Sequence, residues 1–170
     1  MPSPILWLFG LPSAGKTTLA KAIQSASEDH GTPTILLDGD ELRAGVCSDL
    51  GFSGEARSEN IRRTAEIAKL MHSQDYQVIC ALVTPKNHHR KLVKQILGIN
   101  VRLIYVQCPL QTCIDRDVKG LYARANKGQM EGMTGVQDAF EEPYLKQYTT
   151  VSTENADPVK LAEHIYMLLL

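Results

Sequence analysis

The sequence lacks the features that would place this protein in a membrane or on a nucleic acid. No apolar run approaches the ~20 residues that a membrane-spanning helix needs. The 170 residues carry a formal net charge of -1, so no excess of basic residues attracts DNA, RNA or an anionic lipid surface. We therefore expect neither a nucleic acid nor a membrane among its partners.

Closely spaced cysteine pairs and a secretion signal are missing as well. Cys47, Cys80, Cys108 and Cys113 include no C-x-x-C pair. Cys80 and Cys108 fall in strand-like apolar patterns, which favours reduced thiols used as small apolar side chains over a metal site or a disulfide framework. The first residues, MPSPILWLFG, lack the basic start and the small-residue cleavage site of a signal peptide. We therefore expect a cytoplasmic protein.

Apolar strand-like runs alternate with helical patterns along the chain. Strands are predicted at residues 5–9, 33–39, 77–83, 101–108 and 149–153. Helices are predicted at 16–30, 55–74, 86–97 and 109–128, with a last one starting at Asp157 and Pro158. Apolar strands separated by helices are typical of a parallel β-sheet flanked by helices on both faces. We predict this α/β fold in a single domain covering residues 1–170.

The stretch GLPSAGKTT, residues 10–18, predicts a phosphate-binding loop. It fits the pattern G-x-x-x-x-G-K-[ST] in full, with a strand before it and a helix after it. Glycines let backbone N–H groups turn toward an anion, and the helix N-terminus adds a partial positive charge. We expect Lys16 to reach the outer phosphates of ATP and the Thr17 hydroxyl to bind Mg²⁺. The other nucleotide contacts predicted in this loop are Gly10, Ser13, Ala14, Gly15 and Thr18.

Other motifs bear on whether the terminal phosphate goes to water or to a second small molecule. A switch GTPase needs a base-reading N-K-x-D well downstream of D-x-x-G. The Asn-Lys pair at 126–127 lacks that Asp and follows DVKG (117–120) too closely. Motor ATPases usually place an acidic residue at the end of an apolar strand, and VICALVTPK (78–86) offers none. Both absences favour a second small molecule.

Two carboxylates follow the second predicted strand, at the edge where a parallel sheet binds its ligands. Asp38 and Asp40 can hold Mg²⁺ through water or accept the proton of an acceptor hydroxyl. The alternative is a polar turn in which Asp40 only caps a helix beginning at Glu41. Asp40 and Arg43 are three residues apart and can share a helix face, and Arg57 and Asn60 repeat this spacing. Two arginines and an amide near a phosphate loop suit an anionic, nucleotide-like acceptor. Salt-bridged surface residues are the alternative for that group.

Several segments, in order, resemble the adenylylsulfate kinases, also called APS kinases. They are GLPSAGKTT, LLDGDELRAG, DLGFSGEARSENIRR, CPLQTCIDRDVKGLY, MTG and FEEP. The resemblance covers most of the chain and implies a P-loop kinase fold that uses ATP and Mg²⁺. It implies transfer of the γ-phosphate of ATP to the 3′-hydroxyl of adenosine 5′-phosphosulfate, giving 3′-phosphoadenosine 5′-phosphosulfate. A homodimer is also implied, because members of the family often form dimers.

The resemblance also assigns roles to individual side chains. Asp40 would lie beside the acceptor hydroxyl as the base or the orienting group. Arg116 would pack on the adenine of ATP, and Lys119 would contact substrates from a mobile lid at about 119–135. The acceptor itself would be held by Arg43, Phe52, Arg57 and Asn60, with Phe52 stacked on its base.

The sequence departs from the family pattern at two places in the expected acceptor site. The family usually has Ser-Pro-Tyr/Phe-Arg after the third strand, where this chain has TPKN. Thr84 thus replaces a serine that is sometimes assigned as a phosphorylated residue, and Asn87 replaces an arginine. Met133 stands where the family usually has a Phe that stacks on the acceptor base, which methionine can cover only with a softer contact. The candidates to replace the lost cation are Lys86, His88, His89 and Arg90.

These departures leave three hypotheses about function. The first is neutral drift with adenylylsulfate kept as the acceptor. The second is the same chemistry on another nucleotide anhydride, such as cytidine diphosphoramidate. The third is a nucleotide-binding module without turnover, which the intact Lys16, Thr17, Asp40 and Arg57 disfavour.

Overall fold

The computed structural model describes residues 3–129, 132–144 and 147–169. Its strands are β1 (Ile5–Phe9), β2 (Thr34–Asp38), β3 (Gln77–Ala81), β4 (Val101–Gln107) and β5 (Thr149–Ser152). Neighbouring strands pair in parallel, in the order β2-β3-β1-β4-β5. The predicted parallel sheet is confirmed, and every strand ends within two residues of its predicted bounds.

Helices connect the strands. They are α1 (Lys16–Asp29), α2 (Gly39–Ala44), α3 (Gly54–His72), α4 (Asn87–Leu97), α5 (Leu110–Arg116), α6 (Leu121–Asn126) and α7 (Pro158–Leu169), with a 3-10 turn at Gly98–Asn100. The start of α7 is as predicted, because an Asp157 carboxylate oxygen accepts a hydrogen bond from the backbone N–H of Val159 at 2.9 Å. Within the described ranges, no helix is long and apolar enough to span a membrane.

The prediction of one helical stretch over 109–128 is wrong, since α5 and α6 are separate helices. Gly120 adopts φ 62°, a left-handed conformation that ends any continuous helix. The side chain of Asp117 then stabilises the start of α6. Its two carboxylate oxygens accept hydrogen bonds from the backbone N–H groups of Tyr122 and Ala123 at 3.1 and 3.0 Å. The connection between α5 and α6 therefore has a fixed shape.

Strand β1 separates two apolar cores. Leu6 and Leu8 face a core shared with α1 and α7, whereas Ile5, Trp7 and Phe9 face a second core shared with α3 and α4. All five side chains are buried, which explains why the strand is apolar at every position rather than at alternate ones. The sheet is thus covered on both faces, and the carboxyl ends of its strands remain as the open edge.

The four cysteines are buried free thiols. Cys80 lies on β3 in the core that faces α3 and α4, and Cys108 and Cys113 lie in the opposite core. This agrees with their expected use as small apolar side chains.

Candidate active site

A cavity of about 800 Å³ opens at the carboxyl edge of the sheet. The phosphate loop, α2, α3, the turn after β3 and the α5–α6 connection all contribute to its walls. Every residue predicted for the site lines this cavity except Gly10 and Ala14. The fold therefore brings together side chains as distant in sequence as Ser13 and Met133.

Gly10 and Ala14 support the phosphate loop from behind. A Cβ atom on Gly10 would overlap the carbonyl oxygen of Val106 on β4, so only glycine fits where the chain leaves β1. Ala14 is fully buried, and its carbonyl oxygen accepts a hydrogen bond from the Thr153 hydroxyl at 2.6 Å. The loop is thus tied to the end of β5.

Lys16 lies at the start of α1, inside the phosphate loop. Its ammonium group donates hydrogen bonds to the carbonyl oxygens of Gly10 and Leu11 at 3.0 and 2.6 Å. Burial lowers the pKa of Lys16 to about 8, although the charge of Asp40 partly opposes this effect. The phosphates of a nucleotide would compete with the two carbonyl groups for this ammonium.

Thr17 and Asp38 form a pair of oxygen-bearing side chains beside the loop. The Thr17 hydroxyl donates to the Asp38 carboxylate at 2.6 Å, and Asp38 is buried. A hydroxyl and a carboxylate in contact at the phosphate end of a cavity fit Mg²⁺, which prefers oxygen ligands and keeps some of its water. Asp38 was recognised in the sequence as a carboxylate at this edge, but the predicted site included only Asp40.

The alternative role predicted for Asp40, as a helix cap, is wrong. The helix α2 begins at Gly39 rather than at Glu41, and Asp38 is its N-cap. The second carboxylate oxygen of Asp38 accepts a hydrogen bond from the backbone N–H of Asp40 at 2.9 Å. Asp40 is therefore left free of any capping role, with an exposed carboxylate that lines the cavity.

Asp40 forms an ion pair with Lys119 across the mouth of the cavity. Lys119 lies between α5 and α6, so the pair links α2 to that connection. Both side chains are more than half exposed, and exposed ion pairs contribute little stability. Bound phosphates can therefore separate the two groups at small cost.

Phe52 forms an aromatic platform at the other end of the cavity. The ring is 47% exposed, and the Arg43 guanidinium lies 4.4 Å from its centroid. Arg43 also donates to the carbonyl oxygen of Gly51 at 3.0 Å, which fixes the guanidinium beside the ring. A flat ring with an adjacent cation suits a base that carries an anionic group.

Arg57 holds the segment 132–134 against α3. It donates to the carbonyl oxygen of Phe52 at 3.0 Å, to the Thr134 hydroxyl at 3.0 Å and to the carbonyl oxygen of Gly132. Burial lowers the pKa of the Arg57 guanidinium from its ordinary value. The sequence did not indicate this link, because the partners lie more than 70 positions apart.

Asn60 and Met133 complete this end of the cavity. Within the described part of the chain, the buried side-chain oxygen of Asn60 has no hydrogen-bond partner. Met133 is only 4% exposed and packs in the core with Leu11, Cys113 and Tyr122. The methionine is therefore mainly a core residue that also touches the cavity.

None of the four candidates for the missing cation lines the cavity. Lys86 forms an ion pair with Asp138 at 2.9 Å. His89 and Arg90 are buried, and a ring nitrogen of His89 lies 3.2 Å from the Ser58 hydroxyl. His88 packs against the His89 ring. None of these four side chains therefore brings a cation into the cavity in place of the arginine that Asn87 replaces.

The opposite wall lies at the end of β5 and the start of α7. Arg116 donates to the carbonyl oxygen of Thr153 at 2.8 Å, which docks the last turn of α5 on β5. Cavity residues missed in the sequence include Arg124, Thr153, Ala156, Pro158 and Leu161. A usable signal existed, because residues 153–158 begin at the end of the strand predicted over 149–153 and so belong to the ligand-binding edge.

Comparison with known proteins identifies the family. The model of the adenylylsulphate kinase family matches residues 2–149. The chain belongs to the adenylylsulphate kinase family. The adenylyl-sulfate kinase of Paraburkholderia xenovorans is 45% identical over 139 residues, which are 82% of this chain and 78% of that protein. The adenylyl-sulfate kinase of Pseudomonas aeruginosa is 41% identical over 155 residues, or 91% and 79% of the two chains.

Solved structures agree with this assignment. The Mycobacterium tuberculosis APS kinase in complex with AMPPNP and APS superposes with a TM-score of 0.93 at 31% identity, over 99% of both chains. A gluconokinase from Sinorhizobium meliloti, at 14% identity and a TM-score of 0.63 over 98% of this chain and 97% of that one, shares the fold alone. The P-loop kinase fold expected for this member of the adenylylsulphate kinase family is confirmed.

Proposed function

We propose that the cavity transfers the γ-phosphate of ATP to the 3′-hydroxyl of adenylylsulfate, giving 3′-phosphoadenosine 5′-phosphosulfate. Membership of the family supports this activity, and the relatives from Paraburkholderia xenovorans and Pseudomonas aeruginosa are adenylyl-sulfate kinases. The observation that carries the proposal is one cavity with two ends. An intact phosphate loop lines one end, and an aromatic ring flanked by arginines lines the other.

The donor end binds and orients ATP. The ammonium group of Lys16 leaves the carbonyl groups of its own loop and binds the outer phosphates. Arg116, on the cavity wall beside β5 and α7, packs on the adenine ring of ATP. Thr17 and Asp38 would hold Mg²⁺, which would supply positive charge to offset that of the phosphates. Charge compensation and alignment are the main requirements of phosphoryl transfer, since the transition state is loose and highly charged.

The acceptor end presents the nucleophile. The base of adenylylsulfate stacks on Phe52, and Arg43 and Arg57 provide positive charge for its phosphosulfate. The unpartnered oxygen of Asn60 is ready to accept a hydrogen bond from the acceptor. Thr84 and Met133 add the remaining acceptor contacts.

Asp40 receives or orients the proton of the 3′-hydroxyl. As that oxygen bonds to the γ-phosphorus, the bond from phosphorus to the β–γ bridging oxygen breaks and ADP leaves. Lys119 separates from Asp40 and turns to the phosphates, which frees the carboxylate for the hydroxyl.

The buried position of Met133 favours adenylylsulfate over a different acceptor. Met133 packs in the core with Leu11, Cys113 and Tyr122. The methionine that replaces the family's phenylalanine therefore changes core packing more than it changes the surface of the acceptor site. Phe52 remains as an exposed platform for the base.

We also propose that residues 119–135 form a lid in a single domain over 1–170, although residues 130 and 131 lie outside the described part. The Tyr122 hydroxyl, which donates to the carbonyl oxygen of Pro12 at 3.0 Å, anchors α6 to the phosphate loop. The first part of the lid, α6, is therefore held against the phosphate loop. A homodimer in the cytoplasm completes the proposal, and light scattering of the purified protein tests the dimer.

The test of the proposed reaction is identification of the product. Purified protein is incubated with Mg-ATP and adenylylsulfate, and the products are analysed by mass. We expect adenylylsulfate to gain one phosphate, with none gained by its 3′-deoxy analogue and none formed by Lys16→Ala. ATP binding without any phosphorylated product would contradict the proposal and favour a binding module.

A further inference from the structure

The turn after β3, residues 84–87, has an unusual backbone where it meets the cavity. Thr84 adopts φ 45°, a left-handed conformation that is costly for a β-branched residue. The residue is buried, and both Thr84 and Pro85 line the cavity. We call residues 84–87 the acceptor turn. Such a conformation persists only where surrounding contacts hold it.

Trp7 holds the acceptor turn from the sheet. Its indole N–H donates to the Thr84 hydroxyl at 2.9 Å, and the whole side chain is buried. Trp7 belongs to β1, the central strand, so this anchor cannot easily move. The indole ring carries a single hydrogen-bond donor, its N–H group. Removing the Thr84 hydroxyl oxygen would leave this buried donor without an acceptor.

Arg90 holds the acceptor turn from α4. Its guanidinium donates to the carbonyl oxygens of Thr84 and Pro85 at 3.3 and 3.1 Å, and to the side-chain oxygen of Asn87 at 2.9 Å. The side chain is fully buried. Asn87 is thereby turned toward Arg90 and away from the cavity.

The same guanidinium reaches the segment 140–142. It donates to the carbonyl oxygen of Glu141 at 2.5 Å and lies between the rings of Phe9 and Phe140, 4.7 and 5.0 Å from their centroids. The backbone N–H of Glu141 donates to the carbonyl oxygen of Pro85 at 2.9 Å. A Glu141 carboxylate oxygen accepts from the backbone N–H of Asn87 at 2.7 Å. The acceptor turn and this segment are therefore one hydrogen-bonded unit.

We propose that Trp7 and Arg90 are positioning residues for the acceptor. Neither lines the cavity, and both act through the acceptor turn, which they fix as a rigid wall of the acceptor end. The Thr84 hydroxyl serves in this unit as the hydrogen-bond acceptor of Trp7, so its function is to hold the backbone rather than to carry a phosphate. The inference rests on the proposed function, and it explains the affinity for adenylylsulfate by the fixed position of the acceptor turn.

A set of substitutions at Thr84 separates shape from hydrogen bonding. Thr84→Ser keeps the hydroxyl oxygen, whereas Thr84→Val keeps the shape of the side chain but leaves the indole N–H of Trp7 without an acceptor. We expect the valine variant to raise the KM for adenylylsulfate about tenfold, and the serine variant to raise it by a clearly smaller factor. The dissociation constant of ATP stays unchanged in both variants, which also shows that they fold.

A double substitution tests whether Trp7 and Thr84 act as a pair. Trp7→Phe removes the donor, so adding Thr84→Val to that background no longer leaves a buried N–H without a partner. We expect the valine substitution to raise the acceptor KM by a smaller factor in the Trp7→Phe protein than in the wild type. Equal factors in the two backgrounds would contradict the pairing.

Arg90→Lys provides an independent test. Lysine keeps the positive charge but lacks the planar guanidinium that donates to four oxygen atoms in the wild type. We therefore expect the KM for adenylylsulfate to rise while the affinity for ATP is kept. The matched control is Arg62→Lys, an exposed arginine on α3 that pairs with Glu59, and it should behave as wild type.

The outcomes distinguish this inference from the proposed function. Failure of the proposed function shows in the wild type, as absence of phosphorylated adenylylsulfate, and the substitutions are then compared on the acceptor that is phosphorylated. Failure of the inference leaves the wild type active but gives Thr84→Val and Arg90→Lys the wild-type acceptor KM. A phosphate found on Thr84 that passes on to the acceptor would also overturn it.

Discussion

Lys16 is the residue whose chemistry depends most on what the cavity contains. Its ammonium is buried among carbonyl groups, and burial lowers its pKa to about 8. Phosphates favour the charged form, so nucleotide binding raises this pKa again. Above pH 8 the free protein has lost the proton that the complex retains.

We therefore predict that ATP binding takes up a proton above pH 8 and that the affinity for ATP falls there. Below that pH the lysine is protonated in both states, and this linkage disappears. Calorimetry at pH 7 and pH 9, in buffers with different ionisation enthalpies, measures the uptake. Equal uptake at the two pH values would show that Lys16 is not the group involved.

Asp40 should affect turnover much more than ATP binding. Its carboxylate lines the cavity without any capping role, whereas Asp38 caps α2. We predict that Asp40→Asn lowers kcat about 100-fold or more, as expected for loss of a general base, and leaves ATP affinity nearly unchanged. The neighbouring exposed residue Glu41 on α2 supplies the control variant Glu41→Gln. Full turnover by Asp40→Asn would remove the assigned role.

Helices and strands that depend on local sequence patterns were predicted from the sequence. Features that depend on contacts between distant residues were missed. The apolar run Ile5–Phe9 and the following glycine loop are local signals, so β1 and the start of α1 at Lys16 were predicted correctly. The division of 109–128 at Gly120 was missed although glycine itself was the signal. Which of Asp38 and Asp40 caps α2 depends on where β2 ends, and strand ends are poorly defined by composition.

Long-range links could not be read from the sequence. Arg57 was predicted as an acceptor ligand, but its hydrogen bonds to Gly132 and Thr134 appear only once the chain folds. The burial of Arg90 is a similar case, because an arginine near a helix start usually predicts an exposed side chain.

At the scale of elements, the start of α6 depends on the side chain of Asp117. Asp117 accepts hydrogen bonds from the first free N–H groups of α6, so Asp117→Ala should let this helix fray. We predict several-fold faster hydrogen exchange over residues 121–126, with the sheet unaffected. The exposed residue Asp115 of α5 gives the control Asp115→Ala. Unchanged exchange in Asp117→Ala would mean that other contacts fix α6.

At the scale of the whole molecule, buried His89 links stability to pH. Burial, aided by the nearby charges of His88 and Arg57, lowers the pKa of His89 to about 4. The unfolded chain takes up a proton near pH 6.5, before the folded protein does. The contribution of this neutral histidine to stability is therefore lost as the pH falls from about 6.5 toward 4.

We predict that the wild type has a lower Tm at pH 5 than at pH 7, and that His89→Asn reduces this difference. Thermal unfolding at the two pH values measures it. The same pH dependence in His89→Asn would assign the effect to other groups.

The whole molecule combines a phosphate loop and an aromatic, arginine-flanked platform in one cavity, and this is the basis of the proposed reaction. The most direct measurement is a comparison of acceptors with Mg-ATP, in which kcat/KM is determined for adenylylsulfate and for cytidine diphosphate-type anhydrides. We predict efficient phosphorylation of adenylylsulfate at micromolar concentration. Efficient phosphorylation of a cytidine compound with none of adenylylsulfate would contradict it, and would mean that Thr84, Asn87 and Met133 have changed the acceptor.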